Sequence, residues 1–230
     1  MTHQERGWAR RFRITSPLFL TVTLLPLSND VCAWSPERSV SSQGQAAVDG
    51  EPPHTKAYSF SKDWVTSRIP LWNKTLAHVK GRPGLQYLEI GVFEGRSAIW
   101  MLENVLTDPT ASMTCIDIFP GRLQETFLAN LALSGFSEKV TVIKGRSQVK
   151  LRKLPLKTFD IIYIDGSHIT KDVLVDAVLS WQLLKTGGIM MFDDYKWKKG
   201  LPAQLQPQIA IDSFLTVFQD QIKIIHHDDR

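Results

Sequence analysis

From Leu85 onward, short runs of residues that are apolar on both faces recur at intervals, each followed by a stretch with helical spacing. The runs are 85–92, 112–119, 139–145, 159–166 and 188–195. A strand with one buried face alternates apolar and polar residues. One buried on both faces does not, and such strands belong to parallel sheets covered by helices on each side. The intervening segments supply those helices. Ile99, Leu102, Glu103 and Leu106 fall at helical spacing, as do Leu123, Phe127, Leu128 and Leu131 before the stop at Gly135. A short helix is predicted after Ser147. Residues 171–185 carry a stripe of Val173, Leu174, Ala177, Val178, Trp181 and Leu184, ended by Gly187 and Gly188. A last helix (208–218) and a terminal strand (222–227) complete the pattern. Strand–helix alternation of this kind predicts an α/β fold with a doubly wound, mainly parallel sheet. Its crossovers are right-handed, and its ligands bind outside the carboxyl ends of the strands.

The N-terminal part reads differently. Arg6, Arg10, Arg11 and Arg13 precede the apolar run 17–27, and small residues follow up to Ala33. This order predicts residues 1–33 as a leader, a signal or transit peptide with cleavage after Ala33. The apolar run is too short for a bilayer span, which needs about 20 residues. Residues 34–59, rich in Ser, Gln, Gly and Pro, read as a linker, leaving 60–230 as the folded domain. The leader points to export, whereas the catalytic domain reads as intracellular or organellar. The net charge of +4 is spread among interleaved acids and bases, which argues against a nucleic-acid groove. Cys32 and Cys115 are the two cysteines, too few for a disulfide framework or a zinc site.

If ligands lie at strand ends, the residues there carry the function. The first strand ends in Glu89, Gly91, Glu94 and Gly95, a G-x-x-x-G spacing that lacks the third glycine of a dinucleotide loop. Two such glycines also suit a plain tight turn. The second strand ends in Asp117, where a carboxylate can accept ribose hydroxyls or cap a helix. The third leads to Gly145 and Ser147. The fourth ends in Asp165 with His168 three residues on, and the fifth in Asp193 and Asp194.

Taken together, "YLEIGVFEGRSAIWMLENVL", "TCIDIF", "FDIIYIDGSH" and "LLKTGGIMMFDDY" resemble the class I S-adenosylmethionine-dependent methyltransferases. They are most similar to the branch containing macrolide-sugar O-methyltransferases, and "FSKDWVTSRIPLWNKTL" is similar to its helical lead-in. The resemblance implies a Rossmann-like class I methyltransferase fold that binds S-adenosyl-L-methionine. Glu89, Gly91, Glu94 and Gly95 would wrap the methionine part, Glu89 facing its amino group. Asp117 would hold the ribose and Ser147 would lie beside the adenine. Asp165, Asp193 and Asp194 would hold Mg²⁺ or Mn²⁺, and His168 would be the catalytic base. The chemistry agrees, since three carboxylates at adjacent strand ends call for a cation and oxygen ligands favour these metals. The implied reaction is methylation of a hydroxyl on a small molecule, including a sugar. Members of this family close with an antiparallel hairpin. This chain has one closing strand, so the C-terminal hairpin reads as shortened, with an open edge or gap. That departure raises the alternative of a catalytically inactive cofactor-binding or interaction domain.

Overall fold

A computed structural model describes residues 57–197 and 200–227, together with the strand Leu20–Leu24. The strands are β1 (Leu20–Leu24), β2 (Gln86–Ile90), β3 (Ser112–Asp117), β4 (Val140–Lys144), β5 (Phe159–Ile164), β6 (Leu184–Phe192) and β7 (Ile222–His227). The helices are α1 (Ile69–Thr75), α2 (Arg96–Asn104), α3 (Leu123–Ser134), α4 (Ser147–Lys150), α5 (Thr170–Leu183) and α6 (Pro207–Val217). They build one sheet in the order β4-β3-β2-β5-β6-β1-β7. Its first five strands run parallel, the predicted doubly wound arrangement. Strand alternation sends Leu88 and Ile90 into a core shared with Trp181 of α5 and Phe214 of α6. Tyr87 enters the opposite core with Trp72 of α1, Met101 of α2 and Phe127 of α3. No helix among the described residues is long and apolar enough to cross a membrane.

Three expectations need correction. Val178 and Leu128 were placed on buried stripes, yet both are exposed, because each helix rests on a narrower face than the sequence suggested. The Gly187–Gly188 pair does not end a helix. Helix α5 closes at Leu183 and passes straight into β6, which holds both glycines in its first half. The strand pairing shifts register there, between Phe159 and Ile161 of β5.

The third concerns the open edge or gap expected at the closing end of the sheet. Leu20–Leu24 lies inside the run read as a leader, but it forms β1, antiparallel to both β6 and β7. The gap expected from the shortened hairpin is thus filled from the other end of the chain. The backbone of β6 from Ile189 to Phe192 is deeply buried and needs partners on both sides. Strand β1 supplies the second side, with Leu20 opposite Phe192 and Thr23 opposite Ile189. Cleavage after Ala33 would remove this strand. The predicted cleavage site, the basic residues before the run, and most of the predicted linker lie outside the described residues.

Candidate cofactor and acceptor site

The carboxyl ends of β2, β3, β5 and β6 open onto a cavity of about 520 Å³. The loop after β2 forms one wall. Gly91 has φ +86°, and a Cβ there would sit 2.0 Å from the carbonyl oxygen of Asp165. Only glycine lets the ends of β2 and β5 approach this closely. Gly95, also at φ +86°, leaves room for the Phe127 ring, which a Cβ would meet at 2.5 Å. Asp117, at the end of β3, ties the loop down. Its Oδ2 accepts the N–H groups of Val92 (2.7 Å) and Phe93 (3.0 Å), and its Oδ1 accepts that of Phe119 (2.7 Å).

Glu89 is fully buried and does not line the cavity; Gly91 and Ser97 do. The Tyr87 hydroxyl donates to Glu89 at 2.9 Å, and Ser97 Oγ donates to its other oxygen. Burial pushes the Glu89 carboxyl up to about 7, against the pull of those two bonds, with the Asp117 charge adding to the rise. Glu94 lines the cavity and accepts the Ser61 N–H at 2.5 Å. The side chain of Asn130 bonds Ser59 and the Glu94 carbonyl, so residues 59–61 are tied down beside the cavity, which Phe60 lines. On the far side Ser147 and Gln148 face the cavity.

The remaining predicted residues gather at the other end. Asp193 forms a buried ion pair with Arg68, Nη2 to Oδ1 at 2.6 Å. The Tyr163 hydroxyl lies 2.5 Å from Asp193 Oδ2 and 3.2 Å from Asp165 Oδ2. Burial raises Asp193 to about 6, with Arg68 opposing the rise. Asp165 is pushed well above the usual carboxylate range by burial, then by the charges of Asp193 and Asp194. Asp194, at φ +57°, turns its carboxylate to His168, with Oδ2 2.7 Å from Nε2. Burial pulls the imidazole pKa down, but the hydrogen bond and charge of Asp194 outweigh it, and the net shift is upward. The Gly166 carbonyl also accepts from the ring. The Trp197 ring meets His168 edge-on, with centroids 4.8 Å apart. Trp64 is half exposed at the cavity rim against Phe93.

All ten predicted residues therefore converge on or directly behind one cavity. Those that sequence reasoning missed are Arg68, Tyr163 and Gln148. Arg68 reaches Asp193 across 125 positions of sequence, a separation that no local pattern reveals. Tyr163 had a signal, because strand periodicity puts it on the same side as Asp165, two residues on. The loop glycines, the acidic floor and the cavity fit a cofactor that carries an ammonium and a sulfonium. The carboxylates do not fit a metal as arranged. Among the described residues no group of three His, Cys, Asp or Glu side chains is placed to hold one. Arg68 and His168 already take the charges of Asp193 and Asp194.

Comparison with known proteins agrees with this geometry. A methyltransferase domain family model matches residues 88–195. A Mycolicibacterium smegmatis protein named as a candidate O-methyltransferase is 26% identical over 200 residues, 84% of this chain and 86% of its own. Among solved structures, TomG of Streptomyces achromogenes, an O-methyltransferase of tomaymycin synthesis in complex with SAM, aligns with TM-score 0.52. It is 19% identical, over 66% of this chain and 69% of that one. An O-methyltransferase of Bacillus cereus in complex with SAH aligns at TM-score 0.54 and 16% identity, covering 72% of each chain.

Proposed function

We propose that the chain is a class I S-adenosylmethionine-dependent methyltransferase that methylates a hydroxyl oxygen of a small molecule, with His168 taking the hydroxyl proton. The observation that carries this reading is the 2.7 Å contact of His168 with Asp194, in the cavity that also holds the Gly91 loop and Asp117. The bound cofactor supplies an electrophilic methyl group. Asp117 keeps the Gly91 loop in shape through its three backbone hydrogen bonds, and the loop positions the cofactor for in-line transfer. Asp194 orients the imidazole through Nε2, so the ring acts as base at Nδ1, which must first give up its proton and its bond to the Gly166 carbonyl. Trp64, Phe93 and Trp197 line the approach and exclude water. The non-catalytic alternative drew its motive from an unfilled sheet, and β1 removes that motive.

A second reading, that Asp165, Asp193 and Asp194 hold Mg²⁺ or Mn²⁺, is favoured by the mutual repulsion that pushes Asp165 up. It requires Arg68 and His168 to turn away from their present partners. Transfer of labelled methyl to a panel of hydroxyl compounds, with and without chelator, decides between the two. Turnover that persists in chelator and falls about 10²–10⁴-fold in His168→Ala supports the histidine reading. Turnover abolished by chelator and restored by Mg²⁺ supports the metal. Binding of S-adenosylhomocysteine without transfer to any acceptor overturns catalysis.

A further inference from the structure

The lip of the cavity differs in kind from its interior. The interior is acidic, with Glu94, Asp117, Asp165, Asp193 and Asp194. The lining residues that are exposed are Lys62, Trp64, Ile118, Pro120, Arg146 and Ile169, and none of them is an acid. Trp64 is 53% exposed, Ile118 56% and Ile169 39%. The acids that flank the lip in sequence have partners of their own. Asp63, between Lys62 and Trp64, pairs with Arg96, Oδ2 to Nη2 at 3.0 Å. Glu125, in the first turn of α3, pairs with Arg122 at 2.9 Å, and Asp172 accepts from Ser167 Oγ at 3.0 Å.

Apolar side chains left in water gain by being covered, and cations beside them favour an anionic cover. The spread of the lip sets the size of that cover. Ile118 and Pro120 follow β3, Arg146 follows β4 and Ile169 follows β5, while Lys62 and Trp64 precede α1. Strand β4 lies three steps from β5 in the sheet, and each step is about 4.8 Å, so these loops extend over roughly 14 Å. A single extended chain touches one or two of them, whereas a broad surface touches all. A second copy of this protein would bring two basic lips together. We propose that the lip docks on an anionic lipid surface, with Trp64, Ile118 and Ile169 entering the headgroup layer and Lys62 and Arg146 meeting lipid phosphates. The amphipathic ring of tryptophan suits that layer. Contact of this kind is peripheral and reversible, and it turns the mouth of the cavity towards the membrane. It goes beyond methyl transfer and does not depend on it.

Co-sedimentation of the full chain with vesicles tests the docking, using phosphatidylcholine alone and phosphatidylcholine mixed with phosphatidylglycerol. Binding is expected to the mixed vesicles and not to the neutral ones. Each cation held at an anionic surface contributes about fivefold to partitioning, so Lys62→Glu with Arg146→Glu should lower binding by about 25-fold or more. Raising salt from 0.1 M to 1 M shortens the Debye length from about 10 Å to about 3 Å and should release the wild type. Arg82→Glu with Lys157→Glu makes the same change in net charge at the opposite end of the sheet, ahead of β2 and β5, and should leave most of the binding. An equal loss in the two double variants means attraction by net charge alone and overturns the proposal. So does a wild type that ignores the mixed vesicles. Hydrogen exchange on the wild type needs no variant: mixed vesicles should slow residues 62–64, 118–121 and 145–147, and protection confined to other segments overturns docking by this lip. A dimer in ultracentrifugation that the lip variant dissociates would assign the lip to a second copy and overturn it too.

Discussion

Deleting residues 1–33 removes β1 and tests whether this run is a leader to be discarded or a strand of the fold. In the structure β1 aligns four residue pairs with β6 and five with β7. An antiparallel ladder carries roughly one backbone hydrogen bond per aligned pair. At about 0.5–1.5 kcal/mol net per bond, the direct loss is on the order of 5–13 kcal/mol. That is comparable to the whole stability of a typical domain, about 5–15 kcal/mol. Some would be recovered if β7 moved across to pair with β6, since both run antiparallel to β1 and hence parallel to each other. The truncated protein should therefore lose several kcal/mol in denaturant unfolding and bind S-adenosylhomocysteine weakly. Phe192, at the end of the β1–β6 ladder, directly precedes Asp193 and Asp194, so the damage should reach the acceptor end of the cavity. Hydrogen exchange at Ile189–Phe192 should accelerate first. Val22→Pro makes the same point at one position, because a strand paired on both sides cannot spare an N–H. A truncated protein with wild-type melting, exchange and ligand affinity would refute the reasoning and restore the leader reading.

Three further outcomes follow from the site. Arg68→Ala strands the Asp193 charge in a buried setting and should cost about 3–5 kcal/mol in chemical denaturation. Adding Asp193→Asn should recover much of that loss, and no recovery would mean the two side chains are not coupled. His168 must be neutral to accept a proton, and Asp194 raises its pKa, so the acid limb of kcat/KM should lie above the ordinary 6.5. Asp194→Asn should shift that limb to lower pH, since it removes the charge that most opposes burial; an unmoved limb would remove His168 from the base role. Gly91→Ala forces a methyl group onto the Asp165 carbonyl at a positive φ, so cofactor binding should be lost before global folding, as read by calorimetry beside thermal melting.

Much of this protein was legible in the sequence because the relevant physics is local. Runs buried on both faces can only be central strands. Turn glycines and carboxylates at their ends put Asp117, Asp165, Asp193 and Asp194 on one rim before any coordinates are known. The spacing of Tyr87 from Glu89 and of Tyr163 from Asp165 held a further signal, since residues two apart on a strand share a side. Tertiary structure alone decided which charges meet. The sequence puts three aspartates at neighbouring strand ends and calls for a cation, but it does not say that Arg68, 125 positions away, will neutralise Asp193, or that Asp194 will turn to His168. It likewise shows an apolar run at 17–27 that suits a leader and a strand equally well. Hydrophobicity sets only the tendency to leave water. The partner is set by which backbone edge lies open, and in this fold that edge is the space between β6 and β7.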